Sequence, residues 1–211
     1  EGVSYGICRQ VRDFILEDKL SNPINMPLSD MSELKKIKPY MNLAQILGKI
    51  EMQLVDSPIK SISIECFGNI EDSKPLALSF LIGIFHDMTD NRINFVNAGV
   101  IAEERGISIS HTINTEITSF SNLLVASVIT DTETITVSGS VFANQFPRIV
   151  EIMGYEVDVN PIGNMLFLKN KDVPGVIGKV GLLLGESNIN IAEYLLSRID
   201  SKDTAYSIIK L

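Results

Sequence analysis

The chain has 211 residues, 45% of them hydrophobic, with 26 acidic against 18 basic side chains and a net charge of −8. That length suits one or two domains, and the apolar fraction is enough for true cores. The acidic balance, without any basic stripe, argues against a nucleic-acid surface. The apolar run at 76–85 is too short to cross a bilayer and no signal peptide is visible, so a soluble cytoplasmic protein is expected. Cys8 and Cys66 are far apart and lack C-x-x-C spacing, which fits a reducing compartment and gives no hint of zinc or an iron–sulfur cluster. Each reads as a small buried hydrophobe.

Residues 1–18 predict an amphipathic helix with Val3, Ile7, Val11, Phe14 and Ile15 along one face. The Asn22-Pro-Ile-Asn-Met-Pro27 stretch predicts an extended segment, because each proline disfavours helix in the residue before it. Residues 29–38 are polar and read as a linker or short helix leading into Pro39. An apolar helix face at the start of a chain, with no covering domain, suggests a fragment. From Pro39, Leu43, Ile46, Leu47, Ile50 and Leu54 recur at helical spacing. Residues 59–67 alternate, with Ile62, Ile64 and Cys66 set against Ser61, Ser63 and Glu65, as a half-buried strand does. A turn at 68–74 leads to an apolar helix from Pro75 to Phe85, and a further helix is expected over 94–105, ended by Gly106. A strand-rich section starts at Ile107. Strands are expected over 121–130 and 134–141 about a turn at Asp131-Thr-Glu, then over 148–153 and 155–159 around Gly154. Helices and strands mix without strict alternation, so the fold class is α+β.

The most organised stretch lies near the end. Met165 to Lys169 predicts a strand, and Asp172-Val173-Pro174-Gly175 a turn. Val176, Ile177, Val180, Leu183 and Leu184 then mark one face of a helix ending near Ser187-Asn188. Asp172 is the expected N-cap and Pro174 suits the first helical turn. Gly178 and Gly181 leave the helix thin on one side, and Asn190-Ile191-Ala192 opens the next strand. Amides at such a helix N-terminus attract a carboxylate, and an Asp or Asn oxygen beside them accepts from an ammonium. The physics suits a small zwitterion, although Asp172 has an alternative role as a cap and Asn190 as a turn residue.

Asp172-Val-Pro-Gly175, Gly178-Lys-Val-Gly181, Leu183-Leu-Gly185 and Asn188-Ile-Asn-Ile-Ala192 resemble the opening of an ACT domain, a ferredoxin-like (βαββαβ) amino-acid-binding module. The resemblance implies effector contacts at Asn170, Asp172, Pro174, Gly175 and Asn190. Pro39-Tyr-Met-Asn-Leu-Ala44, Val96-Asn-Ala98, Glu103-Glu-Arg-Gly106, Val137-Ser-Gly-Ser-Val-Phe142 and Pro147-Arg-Ile-Val150 resemble the intervening domain of long-form D-3-phosphoglycerate dehydrogenases. In that family the intervening (allosteric substrate-binding) domain precedes a C-terminal ACT domain, the order seen here. The resemblance therefore implies residues 1–38 as a remnant of the nucleotide-binding domain and crossover segment, 39–160 as the intervening domain, and 161–211 as an ACT domain cut within its third strand. A sheet missing one member would leave its first strand with an unpaired edge.

No glycine-rich dinucleotide fingerprint follows a strand, so no cofactor-binding residue is assigned. NAD belongs to the complete enzyme implied by the resemblance. No catalytic or metal-binding residue is assigned either, since His86 and His111 do not match the family's catalytic histidine. Ser108-Ile-Ser-His-Thr112 weakly resembles a segment of iron–sulfur L-serine dehydratases but reads as strand and turn, for want of cluster cysteines. The family's second anion site would retain Arg148 alone, with Tyr155, Glu156 and Asn160 at its other positions, and Glu156 would repel an anion. The expected function is the regulatory and oligomerising part of a phosphoglycerate dehydrogenase in serine biosynthesis, sensing L-serine through paired ACT units in a homo-oligomer held through its ACT and intervening domains. The alternatives are a stand-alone amino-acid-binding ACT module and a subunit of an L-serine dehydratase.

Overall fold

A computed structural model of the chain describes residues 2–17, 31–88, 92–116, 118–199 and 203–211. The expected extended segment at 22–27 lies outside them. Helix α1 (Gly2–Glu17) forms as its 3.6-residue periodicity requires, yet its apolar face is open: Val3, Ile7, Val11, Phe14 and Ile15 are all exposed. Cys8 is exposed on the same helix, so the expectation of two buried cysteines holds for Cys66 alone.

Helix α2 (Met31–Leu54) starts eight residues before the expected boundary at Pro39 and is continuous through it. Proline lacks an N–H and crowds the carbonyl four residues earlier, a cost of about 3 kcal/mol in a helix interior. Burial offsets that cost, because Leu34, Met41, Leu43, Ala44, Leu47 and Ile50 all enter the core. Of the two expectations for residues 29–38, the helix holds over the part described, as the first turns of the long α2 and not as a linker.

Strand β1 (Ile59–Gly68) buries Ile62, Ile64 and Cys66 as the alternation foretold. Helix α3 (Lys74–Ile84) follows, with Pro75 in its first turn. The expected helix over 94–105 is shorter: α4 spans only Ala98–Glu104. The Asn94 carboxamide oxygen accepts from the amides of Val96 and Asn97, holding 94–97 in a turn that competes with helix. Gly106, at φ +69, ends the segment. Strands β2 (Ser108–Asn114), β3 (Asn122–Thr130), β4 (Thr134–Phe142), β5 (Phe146–Ile152) and β6 (Tyr155–Val159) complete a six-stranded sheet of order β2-β1-β3-β4-β5-β6. Only β2 is parallel to its neighbour. Met153 and Gly154, both at positive φ, make the two-residue turn between β5 and β6. Helices α2 and α3 cover one face of this sheet and enclose the main core.

The β3–β4 ladder is finished by a side chain. Asn122 is buried; its Oδ1 accepts from the Val141 amide at 2.8 Å and its Nδ2 donates to the Val141 carbonyl at 3.0 Å. Asn122→Ala leaves both backbone groups of Val141 without these bonds, and a loss of about 2–3 kcal/mol is expected in urea denaturation.

The remaining elements are β7 (Met165–Lys171), α5 (Val176–Glu186), β8 (Glu193–Arg198) and β9 (Thr204–Lys210), in a sheet of order β7-β9-β8. Strand β9 is antiparallel to both neighbours, so β7 and β8 are parallel with β9 between them. This is the split βαβ arrangement of a ferredoxin-like unit. Overall the fold is α+β, in two sheets. The small sheet has helix α5 on one face and packs its other face on the larger domain. Tyr206 and Ile208 share the main core with Tyr155, whose ring lies 5.4 Å from that of Tyr206. The Tyr155 hydroxyl meets Thr204 Oγ1 at 2.6 Å.

Candidate functional site

Strand β7 ends at Lys171, and the Asp172 amide donates to the Asp203 carbonyl at 3.0 Å, closing the sheet at that end. The chain then turns through Val173, Pro174 and Gly175. The residue that caps α5 is Gly175, at φ +91, a conformation costly for any side chain. No side chain caps this terminus, so Asp172 is not the N-cap and Pro174 lies outside the helix. The cap and first turn move three residues along, from Asp172 to Gly175, because the glycine takes the left-handed turn. The uncapped amides at the start of α5 are the groups that favour an anion.

Asp172 instead pairs with Arg198 at the end of β8, Nε to Oδ2 at 2.6 Å. Asn170 is half-buried; its Nδ2 donates to the Lys171 carbonyl at 2.6 Å while its Oδ1 is buried without a partner. Asn190 is exposed, in the connection before β8, which starts at Glu193 and not at Asn190. The register separates these residues. Lys171 pairs with Thr204 at one end of the sheet, whereas Glu193 and Met165 both pair with Lys210 at the other. Asn170 and Asp172 therefore lie about one strand length, roughly 20 Å, from Asn190. One chain does not bring the three together.

Only Val176, Val180 and Leu184 of α5 turn toward the sheet; Ile177 and Leu183, expected on that face, are exposed, as is Leu182. A residue every fourth position makes a stripe too narrow to include the flanking two. Gly178, Gly181 and Gly185 face open space.

Elsewhere, Arg148 on β5 gives its Nε to Asp158 Oδ1 at 2.6 Å and its Nη2 to the Asp158 carbonyl at 3.2 Å. The guanidinium is thus occupied by an acid on β6, with Glu156 exposed beside it. His86 pairs with neighbouring Asp87, Nδ1 to Oδ1 at 2.6 Å. His111 Nδ1 lies 2.8 Å from Ser73 Oγ, a contact across 38 residues of sequence. Burial, with Asp72 adding to it, pushes the Cys66 thiol up to about 12, so it is not a nucleophile at neutral pH. Among the described residues no cluster of His, Cys, Asp and Glu is arranged to hold a metal. No helix among them is long and apolar enough to cross a membrane.

The model of the D-3-phosphoglycerate dehydrogenase intervening domain matches residues 36–153, the span of α2 through β5. The chain belongs to that family. It is 32% identical over 198 residues to the D-3-phosphoglycerate dehydrogenase of Bacillus subtilis (strain 168), covering 93% of this chain and 38% of the relative. The enzymes of that name from Synechocystis sp. and Methanocaldococcus jannaschii are 30% and 31% identical, covering 93% and 91% of this chain and 36% and 37% of the relatives. The chain thus spans little more than a third of the length of these relatives. The matched intervening domain contains Arg148, Ser73 and His111. The Asn170, Asp172 and Asn190 positions lie beyond it, in the ferredoxin-like unit.

Arg198 and the Tyr155–Thr204 pair escaped sequence reasoning. Both are contacts between separate elements, and no spacing along the chain encodes them.

Proposed function

We propose that this chain is the regulatory and oligomerising portion of an NAD-dependent D-3-phosphoglycerate dehydrogenase, the enzyme that oxidises 3-phosphoglycerate to 3-phosphohydroxypyruvate in serine biosynthesis in the cytoplasm. In this reading L-serine is the effector, NAD and substrate are handled by the rest of the enzyme, and the ferredoxin-like unit is an ACT domain. The observation carrying it is the separation of Asn170 and Asp172 from Asn190 across the small sheet. Two copies related by a two-fold axis place opposite ends side by side, so one copy supplies Asn170 and Asp172 and the partner's Asn190 completes the pocket. The serine carboxylate meets the amides beginning α5, and its ammonium meets Asp172 and the asparagine oxygens. The open, glycine-lined side of α5, with exposed Ile177 and Leu182, supports a close neighbour there. Serine would act by binding one quaternary arrangement more tightly than another.

Calorimetric titration with L-serine, using glycine and D-serine as controls, tests this directly. Asp172→Ala and Asn190→Ala are each expected to weaken serine binding by about tenfold or more, the worth of a charge-assisted hydrogen bond, with the fold intact by circular dichroism. Unchanged affinity in both variants removes the assigned site.

A further inference from the structure

Sheet edges offer unpaired backbone groups, and proteins guard them with charge, proline, bulges or cover. Strand β6 carries Glu156 and Asp158, has an irregular register with β5, and lies beside β8. Strand β7 carries Lys169 and Lys171. Among the described residues, strand β2 has none of these guards. Its seven residues, Ser108-Ile-Ser-His-Thr-Ile-Asn114, hold neither acid, lysine, arginine nor proline, and pair with β1 in unbroken register from Ser108 to Asn114. The strand is exposed along most of its length, including Ile113, and α4 beside it carries the exposed Val100.

The sequence of this edge is self-complementary about its centre. Counting outward from His111, Ser110 mirrors Thr112, Ile109 mirrors Ile113, and Ser108 mirrors Asn114. Antiparallel pairing of β2 with a second β2 therefore sets hydroxyl against hydroxyl, a pair that stabilises antiparallel strands, and isoleucine against isoleucine, with Ser108 against Asn114 and His111 facing its own copy. The Ser73 bond to His111 sets the imidazole on the helix-covered side, the side shared by Ile109 and Ile113.

We propose that the β2 edge is a docking surface for a second copy of this chain, joined antiparallel about a two-fold axis through His111, so that two six-stranded sheets become one of twelve. This contact is separate from any pairing of the ferredoxin-like units and does not depend on serine.

The deciding experiment is a cross-link. In the full chain carrying Cys8→Ser, His111→Cys places one thiol on the axis opposite its own copy. Mild oxidation is expected to give a covalent dimer, whereas Glu71→Cys, on an exposed turn, gives none. Analytical ultracentrifugation is expected to show Ile113→Lys weakening association by on the order of tenfold, with an unchanged urea melt confirming that the variant folds. Absence of the cross-link overturns the proposal. So does a chain that stays monomeric at every concentration, or a dimer dissolved by Leu182→Lys on α5 while position 111 fails to cross-link.

Discussion

Replacing Gly83 by alanine is expected to lower the stability of the intervening domain by about 3 kcal/mol or more. Helices α2 and α3 cross at Gly48 and Gly83, where their backbones touch. A Cβ on Gly83 would overlap the Gln45 carbonyl oxygen and come within 3.1 Å of Gly48 Cα, and one on Gly48 would overlap the Phe80 carbonyl oxygen. Neither obstacle is a side chain able to rotate away, so two helices must part. Alanine is favoured over glycine in a helix by about 1 kcal/mol, and here the clash outweighs that gain. Gly181, in the middle of α5, meets nothing within 4 Å. In the dissociated chain Gly181→Ala is therefore expected to have the opposite sign, stabilising by about 0.5–1 kcal/mol. Urea denaturation of both variants checks the pair, and equal effects would show that the close helix crossing is not what glycine serves.

Glu51→Met is expected to stabilise the domain by on the order of 1–4 kcal/mol near neutral pH and to flatten its pH dependence. Glu51 is 0% exposed on α2, and neither carboxyl oxygen has a hydrogen-bond partner. Burial holds the carboxyl well above the usual carboxylate range; the backbone of Val137 and Val128 offsets part of this, without a bond of full hydrogen-bonding geometry. At low pH both folded and unfolded chains keep the proton, and the domain has its full stability. Above the ordinary carboxylate range the unfolded chain releases it while the folded chain does not. Stability then falls by about 1.4 kcal/mol per pH unit until the folded carboxyl itself ionises. Urea melts at successive pH values should show this slope in the native chain and lose it in Glu51→Met. A native chain as stable at pH 8 as at pH 5 would contradict the assignment.

Both effects come from positions that periodicity passes over. The Leu43, Leu47, Ile50 stripe announced α2, but the helix is buried on a wider arc because α3 packs beside it while the sheet lies beneath. That arc takes in Glu51, which a narrower stripe leaves outside. The same cause operates at Pro39: a proline ends a helix on local grounds, and here the packing of Leu34 and Met41 on either side outweighs the local cost. On α5 the balance runs the other way, and Ile177 and Leu183 stay exposed because the small sheet reaches only the Val176, Val180, Leu184 line.

What the amino-acid order decides by itself is local and repetitive. The alternation in β1 and β3, the turns at Asp131 and Gly154, the Gly175 turn before α5 and the family motifs all depend on neighbours within a few residues, where backbone sterics and burial periodicity act. The tertiary structure decides which distant residues meet. It hands Asp172 to Arg198 instead of to the helix, ties Arg148 to Asp158, sets Ser73 against His111, and puts Asn190 at the far end of the sheet from Asn170. The physical reason is register: pairing β9 between β7 and β8 fixes which ends lie together, and that choice is made by the packing of whole faces, not by any short stretch of chain.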